Sequence, residues 1–105
     1  MDIIEITSNN FKNEIENNSQ FIILEFYGTY CAPCKQLENE IKQLDFSNIK
    51  IGKINIDNEL DLALKYGIMS VPSLVFINNN NVLESHSGFL TKDEIAKKIN
   101  SLQCK

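Results

Sequence analysis

Two spacings of apolar residues alternate along the chain, and they predict an alternation of strands and helices. Residues 21–27 (FIILEFY) are almost continuously apolar, which is typical of a central strand covered on both faces. Leu37, Ile41 and Leu44 recur at helical spacing from Pro33 onward. Proline is acceptable in a first helical turn because its missing N–H would have had no partner. The pattern therefore predicts a buried strand followed directly by a helix.

Other segments continue this alternation. A strand from Ile3 to Ile6 precedes a helix that we expect to begin at Ser8 as its N-cap, with Phe11 and Ile15 at i, i+4 spacing. Four further elements are predicted in the middle of the chain: a strand marked by Ile49, Ile51, Ile54 and Ile56, a helix from Leu60 to Tyr66 that stops at Gly67, a strand from Leu74 to Ile77 after Pro72, and a strand from Val82 to Ser87.

The last two strands and the final helix carry local signals of their own. Asparagines fill residues 78–81 between the two strands, and asparagine tolerates the left-handed backbone of tight turns. Thr91 is followed three residues later by Glu94, which is the spacing of a capping box. We therefore expect an antiparallel hairpin and then an amphipathic helix.

The element order β-α-β-α-β-α-β-β-α predicts the fold class. Strands that alternate with helices imply parallel crossovers, and the hairpin adds an antiparallel pair. The expected fold is α/β, with a mixed central sheet of about five strands and about four helices on both faces. The chain has 105 residues, of which 43 % are hydrophobic, so we expect one domain over residues 1–105.

Charge and cysteine content exclude several classes of function. The formal net charge is −4 and the pI is near 4.9, so nucleic acid and anionic membranes are not expected partners. The first residues are acidic where a signal peptide would be basic, and charges interrupt every long apolar run. We interpret the protein as cytoplasmic. Its 3 cysteines do not suggest a disulfide-stapled secreted scaffold.

The cysteine pair in Cys31-Ala32-Pro33-Cys34 is the most informative motif. With two intervening residues at the start of a helix, the sulfurs can meet as a disulfide or separate as thiols with little backbone movement. Orphan N–H groups and the helix dipole favour the thiolate of Cys31 and lower its pKa. Cys31 is therefore the predicted nucleophile. Cys34, one turn further in, is the predicted resolving thiol.

Two alternatives for this pair remain open. Cys-x-x-Cys is also half of a zinc site, but the remaining candidates, Cys104 and His86, lack partners at ligand spacing. The pair could also be two ordinary buried cysteines, although Pro33 between them at a strand-to-helix turn would then be a coincidence. Cys104 is interpreted as a bystander thiol, with an intermolecular disulfide as the minority alternative.

Glu25 is the other candidate for chemistry. It is an ionisable residue inside an apolar strand, where burying a charged carboxylate is costly. It is therefore either exposed at the strand end or a functional group with a raised pKa. The second interpretation is favoured. In a strand that leads into the motif, Glu25 can point beneath the turn and take the proton of Cys34 through a water.

These residues belong to a wider resemblance. Residues 24–35 (LEFYGTYCAPCK) look like the active-site segment of the thioredoxin family, and residues 53–57 (KINID), 65–68 (KYGI) and 71–74 (VPSL) resemble its middle strand, third-helix end and cis-proline loop. Gly88 resembles the glycine of its last loop. The resemblance implies a thioredoxin fold and a protein disulfide reductase without a bound cofactor. It also implies disulfide-containing client proteins, and a separate reductase driven by NADPH or ferredoxin.

The resemblance also suggests roles for individual residues. Lys53 would lie near Glu25 and influence its charge, although a solvated lysine at the strand end is almost as good an interpretation. Pro72 could be a plain strand-entry proline, but the family has a cis bond here that faces the cysteines. The substrate-binding residues implied in this way are Tyr30, Ala32, Pro33, Val71, Pro72 and Gly88, and the catalytic residues are Cys31, Cys34, Glu25 and Lys53.

Departures from the family pattern fall in the site itself. Glu25 stands where the family usually has Asp, and Tyr27 and Tyr30 stand where it usually has Trp. Ala32 replaces the commonest glycine between the cysteines, and this dipeptide helps to set the reduction potential. The family's typical potential therefore does not transfer to this chain.

The predicted function is that of a monomeric reductase, and two rival functions remain. A non-enzymatic module that binds extended peptides over Val71 and Pro72 would not need an intact Cys-x-x-Cys. An oxidant or isomerase on the same fold is a closer rival, which Ala32 and Pro33 do not exclude. A reducing compartment favours reductase work.

Overall fold

The structure, a computed structural model, describes residues 1–103. Its strands form one sheet: β1 (Asp2–Glu5), β2 (Phe21–Tyr27), β3 (Ile49–Asn55), β4 (Ser73–Asn78) and β5 (Asn81–Ser87). The helices are α1 (Ala32–Ile41), α2 (Leu60–Lys65) and α3 (Lys92–Gln103), and a π-helical turn, Lys12–Glu16, lies between β1 and β2. Cys104, the predicted bystander thiol with an intermolecular disulfide as its alternative, lies outside the described residues.

The sheet is mixed, as predicted. Its strand order is β1-β3-β2-β4-β5, with β3 parallel to both β1 and β2. β4 runs antiparallel to β2 and to β5. The parallel part comes from the crossovers through the first helical segments, and the antiparallel part comes from the hairpin. The predicted α/β class is confirmed.

β2 is buried on both faces and divides the core into two clusters. Phe21 and Ile23 belong to the cluster that α1 and α3 cover. Ile22 and Leu24 belong to the cluster on the other face, which the π-helical turn and α2 cover. Full burial of one such side chain stabilises the fold by about 1.5–3 kcal/mol. The two-sided burial predicted from residues 21–27 is therefore correct.

The first helical segment begins differently from the prediction. Ser8 is not its N-cap: the segment is a π-helical turn whose N-cap is Phe11, without a side-chain cap hydrogen bond, and the backbone N–H of Ser8 donates to the carboxylate of Glu59 at 2.9 Å. A hydrogen-bonded turn leads into the segment: the side chain of Thr7 accepts from the N–H of Asn9 at 3.2 Å, and the carbonyl of Thr7 accepts from the N–H of Phe11 at 3.0 Å. Phe11, predicted to face the core, does so. A hydroxyl residue before an apolar i, i+4 pair is a common N-cap signal, but residues 8–10 form a turn, so Ser8 does not directly precede the helical segment.

The hairpin and the last helix form as their local signals predict. Asn79 and Asn80 have φ of 51° and 64°, which is the left-handed backbone of a tight turn. At α3, the N–H of Glu94 donates to Oγ1 of Thr91 at 3.2 Å, and the N–H of Thr91 donates back to the Glu94 carboxylate at 3.0 Å. This is the reciprocal capping box. None of the helices within residues 1–103 has the length and apolar character needed to cross a membrane.

Candidate active site

The two motif cysteines lie at the start of α1, where the chain leaves the central strand. Cys31 is the N-cap, with an extended backbone (φ −141°, ψ 99°), and Pro33 lies in the first turn. The two Cα atoms are 5.2 Å apart, and the side chains form a disulfide. Cys34 is only 4 % exposed, whereas Cys31 is half-buried and Ala32 is exposed. The outer sulfur is therefore the one that another protein can reach.

A hydrogen bond connects the two cysteines across the first turn. The backbone N–H of Cys34 donates to Sγ of Cys31 at 3.2 Å. The first N–H groups of a helix have no partner within the helix, and they carry the positive end of its dipole. Cys31 thus has its sulfur where a negative charge is favoured.

The loop before Cys31 is fixed by residues at the end of β3 and just after it. The N–H of Thr29 donates to Oδ2 of Asp57 at 2.9 Å, and the side chain of Asn55 donates to Oγ1 of Thr29 at 3.2 Å. The hydrogen bond from the Thr29 backbone lowers the pKa of Asp57. Asp57 therefore stays ionised and holds the loop that presents the cysteine.

Glu25 is buried in the middle of β2. It is 1 % exposed, which excludes the alternative of a carboxylate exposed at the strand end. Neither of its side-chain oxygens has a hydrogen-bond partner among the described residues. Burial raises the pKa of Glu25 from 4.5 to about 7, against the opposing positive charge of Lys53. Glu25 is thus a group that exchanges its proton close to neutral pH.

Lys53 is the cross-strand neighbour of Glu25 in the parallel pair of β2 and β3. Its ammonium lies 2.9 Å from Oε1 of Glu38, on α1. The same ammonium lies 4.9 Å from the centre of the Tyr27 ring. The interpretation of Lys53 as a solvated lysine is not supported, because its side chain is 17 % exposed.

The two tyrosines at the usual tryptophan positions differ in their surroundings. The hydroxyl of Tyr27 donates to Oε2 of Glu5 at 2.8 Å, and burial raises the pKa of this phenol above its ordinary value, with the Glu5 carboxylate adding to the effect. Tyr30 is 98 % exposed. Tyr30 therefore offers an apolar ring beside Cys31, and Tyr27 is part of the structure beneath it.

The segment around Pro72 lies beside the motif. The Val71–Pro72 bond is cis, and a methyl group placed on Gly28 would lie 3.5 Å from Cγ2 of Val71 and 3.8 Å from Cβ of Cys31. Gly88, with a φ of 101°, donates its N–H to the carbonyl of Pro72 at 2.8 Å. The structure thus brings the predicted residues of the loop before β4 and the loop after β5 to the same end of the sheet.

Sequence reasoning missed two charged residues of this region. Asp57 lies in a segment that resembles the family, but the resemblance implies no role for it, and the sequence gives no reason to expect a role for Glu38. The parallel pairing of β2 and β3 is a signal that could have found Asp57, because the carboxyl ends of parallel strands meet at one edge. Glu38 has no comparable signal, since helical spacing alone predicts an exposed position for it. Within residues 1–103 no group of three metal-ligating side chains comes together.

A cysteine pair that forms a disulfide at the start of the helix after the central strand of such a sheet defines a protein-disulfide oxidoreductase of the thioredoxin fold. A family model described as Thioredoxin matches residues 2–101. The chain belongs to the thioredoxin family. Its Cys31–Cys34 pair therefore performs dithiol–disulfide redox chemistry.

Individual relatives agree with this assignment. The thioredoxin of Buchnera aphidicola subsp. Acyrthosiphon pisum (strain APS) is 34% identical over 96 residues, which cover 89% of this chain and 89% of that protein. The thioredoxin of Chlorobaculum thiosulfatiphilum is 36% identical over 98 residues, with 90% and 91% covered. The reduced thioredoxin pre-protein of Schistosoma mansoni has a similar fold, with a TM-score of 0.85 at 22% identity over 96% of this chain and 98% of that one. Membership of the family implies disulfide-containing client proteins and a reductase partner.

Proposed function

We propose that the protein reduces disulfides in other proteins, with Cys31 as the attacking thiol and Cys34 as the resolving thiol. The observation that carries this assignment is the difference in accessibility and bonding of the two sulfurs. Cys31 is half-buried and its Sγ accepts the N–H of Cys34, whereas Cys34 is 4 % exposed. A sulfur that attacks must be reachable and must be stabilised as a thiolate.

The reaction has two balanced steps. The Cys31 thiolate attacks one sulfur of a client disulfide, so that a Cys31–client disulfide forms and the other client sulfur leaves as a thiolate. Cys34 then loses its proton and attacks Sγ of Cys31, which forms the Cys31–Cys34 disulfide and releases the second client thiolate. The client gains two electrons and the protein loses two. The reductase partner returns the dithiol.

Glu25 is the proposed acceptor of the Cys34 proton. It lies on the sheet face that α1 covers, as its neighbour Ile23 on the same face shows by packing in that cluster. Cys34 is the buried residue of the first turn of α1. A pKa of about 7 matches the need of a base that accepts a proton and later gives it up near neutral pH. Lys53 is proposed to act through its charge on Glu25.

Client binding is proposed to use the surface around Cys31. Tyr30, Ala32 and Pro33 are exposed there. Val71 and Pro72 lie beside the motif, and Gly88 holds the Pro72 carbonyl. An extended client segment would pair with the backbone of Val71, in the manner of strand addition. We further propose that the protein acts as a monomeric single domain in the cytoplasm, where thiols are kept reduced.

Trapping of the mixed disulfide tests the assignment of Cys31 as the attacking thiol and Cys34 as the resolving thiol. In a Cys104→Ser background, Cys34→Ser should remain covalently attached to a purified peptide that carries a single disulfide, because the resolving thiol is gone. Added dithiol should release the peptide. The matched control is Cys31→Ser with Cys34→Ser, which should form no adduct on nonreducing electrophoresis. Peptide that stays bound in reductant to both variants would indicate a passive binding module and would contradict the proposal.

A measured reduction potential separates a reductase from its closest rivals. Reductases of this family have potentials near about −270 mV, whereas isomerases lie near about −180 mV and strong oxidants near about −120 mV. Ala32 shifts the value by an amount that the family does not fix, so we expect a potential nearer to the first of these values than to the other two, measured by equilibration with glutathione buffers. A value close to either of the other two would overturn the proposed direction of electron flow. An Ala32→Gly variant would show how far the departure at this position moves the potential.

A further inference from the structure

Lys53 and Glu25 are placed to form an ion pair, and they do not form one. The two residues are opposite each other on parallel strands, so their side chains leave the same face of the sheet within about 5 Å of each other. A buried carboxylate is normally paired. Here both oxygens of Glu25 lack a hydrogen-bond partner among residues 1–103, while the Lys53 ammonium lies 2.9 Å from Glu38.

Glu38 is well placed to compete for Lys53. It lies on the second turn of α1 with a side chain that is 31% exposed, so its carboxylate keeps part of its hydration and is cheaper to ionise than that of Glu25. The bond from Lys53 is the largest cause of the lowered pKa of Glu38. A charge-assisted hydrogen bond of this length fixes the direction of the ammonium. The Tyr27 ring beneath the ammonium, at 4.9 Å, supports the same position.

We propose that Glu38 is a positioning residue, which holds the Lys53 ammonium away from the Glu25 carboxylate and leaves that carboxylate free to take up a proton. The inference rests on the proposed role of Glu25 as the base for Cys34. Without Glu38, Lys53 would turn toward Glu25 and stabilise its ionised form. Glu25 would then be a poorer proton acceptor at neutral pH.

Several charges face Glu25 and must be considered together. Besides burial, which raises its pKa most, Lys53 on β3 lowers it, Glu38 on α1 and Glu5 on β1 raise it, and Lys42, the residue after α1, lowers it slightly. On the other side, β4 contributes only the uncharged Leu74 opposite Glu25. Glu38 is special in this set because it also contacts both lysines, Lys53 at 2.9 Å and Lys42 at 3.5 Å.

Glu38→Gln is the direct test, with Glu40→Gln as the matched control. Both variants remove one negative charge from α1. Glu40 accepts the N–H of Lys92, which glutamine can still do, and it does not contact Lys53. The measurement is an NMR pH titration of the Glu25 side-chain carboxyl carbon in the oxidised protein. Glu38→Gln should lower the Glu25 pKa by about one unit, and Glu40→Gln should leave it unchanged.

A second variant, Glu38→Ala, keeps the inference testable if Glu38→Gln does not fold. Glu38→Ala removes both the charge and the hydrogen bond, and alanine is the best helix former, so it should lower the Glu25 pKa at least as far. Unchanged Glu25 titration in the folded Glu38 variants, or an equal change in Glu40→Gln, would overturn the inference.

A double variant tests whether the effect passes through Lys53. In a Lys53→Met background there is no ammonium to release, so replacement of Glu38 by Gln should lower the Glu25 pKa less than half as far. An equally large change in both backgrounds would mean that Glu38 acts only by its own charge and would overturn the positioning role.

Kinetics separate this inference from the proposed function. The rate of the resolution step should change with pH around the pKa of Glu25. In Glu38→Gln this change should move to lower pH, by the same amount as the NMR titration. If Glu25→Gln resolves mixed disulfides as fast as the parent protein, the proposed base is wrong. The NMR titrations would still decide whether Glu38 controls Lys53.

Discussion

The N–H of Cys34 donates a hydrogen bond to the sulfur of Cys31 at 3.2 Å. The bond is present while the two side chains are joined in a disulfide, so the backbone of the buried cysteine also contacts the sulfur of the accessible one. After reduction, the same N–H remains at the start of α1, where the helix dipole also favours negative charge. The two cysteines should therefore differ in acidity.

Reduced protein should accordingly be alkylated at Cys31 first. In a Cys104→Ser background, we expect at least a tenfold faster reaction of Cys31 with iodoacetamide at neutral pH, since Cys34 is 4 % exposed and Cys31 has the stabilised thiolate. Mass spectrometry of peptides from timed samples across pH measures both rates. Modification of Cys34 before Cys31 would reverse the assigned roles.

Replacement of Glu25 tests proton transfer. Glu25→Gln keeps the size of the side chain but does not accept a proton, so the resolution step should slow by about 10²-fold, the lower end of the usual effect of a general base. Stopped-flow measurement of client release from a preformed Cys31 mixed disulfide isolates this step. A rate equal to that of the parent protein across neutral pH would show that Glu25 has no part in it.

The same residue should make stability depend on pH. The pKa of Glu25 is about 7 in the folded protein against 4.5 for the free group, so the folded state binds the proton more tightly than the unfolded state. The contribution of Glu25 to the free energy of unfolding is then fully present below pH 4.5, and it is lost as the pH rises to about 7. The loss is about 3 kcal/mol.

Urea unfolding of the oxidised protein at several pH values checks this loss. Other carboxylates also titrate, so the informative quantity is the difference between the parent protein and Glu25→Gln. The variant should lack the fall in unfolding free energy between pH 4.5 and 7. An identical pH dependence of both proteins would mean that Glu25 titrates normally when folded.

Gly52 provides a test of packing away from the cysteines. It is buried in β3, and a Cβ at this position would lie 2.9 Å from Cγ1 of Ile6 and 3.0 Å from Cδ2 of Leu24. Gly52→Ala should therefore lower the unfolding free energy by about 1–3 kcal/mol. Gly28→Ala is the matched control, because the nearest atom there is 3.5 Å away. Equal stability of both variants in urea would show that the core adjusts freely around Gly52.

Local signals in the sequence were sufficient for most of the fold. The apolar run of β2, the asparagine turn and the Thr91–Glu94 capping box each depend on neighbouring residues, and each forms as predicted. The N-cap prediction at Ser8 was wrong, because residues 8–10 form a turn ahead of the helical segment, and the N–H of Ser8 is bonded to Glu59, 51 residues away. Short-range patterns carry no information about such a partner.

The residues of the active site also fall into two groups, those with a local signal in the sequence and those without one. The cysteine motif is a local pattern, and the burial of Glu25 follows from its apolar neighbours, so both were visible in the sequence. The bonds from Thr29 to Asp57 and from Lys53 to Glu38 join residues 28 and 15 positions apart. These contacts depend on how β3 and α1 are placed in space, which spacing along the chain does not encode.

Cys31 is both the N-cap of α1 and the reactive thiol, which limits how the stability of this protein could be raised by engineering. Its side chain caps α1 by accepting the N–H of Cys34, and serine or aspartate would be the stronger cap at such a position. A designer who optimised every helix end for thermostability would therefore replace the nucleophile. At position 31, the side chain that would stabilise the helix most is not the one that the reaction needs. Higher stability must come from sites that take no part in the reaction, such as the capping box of α3.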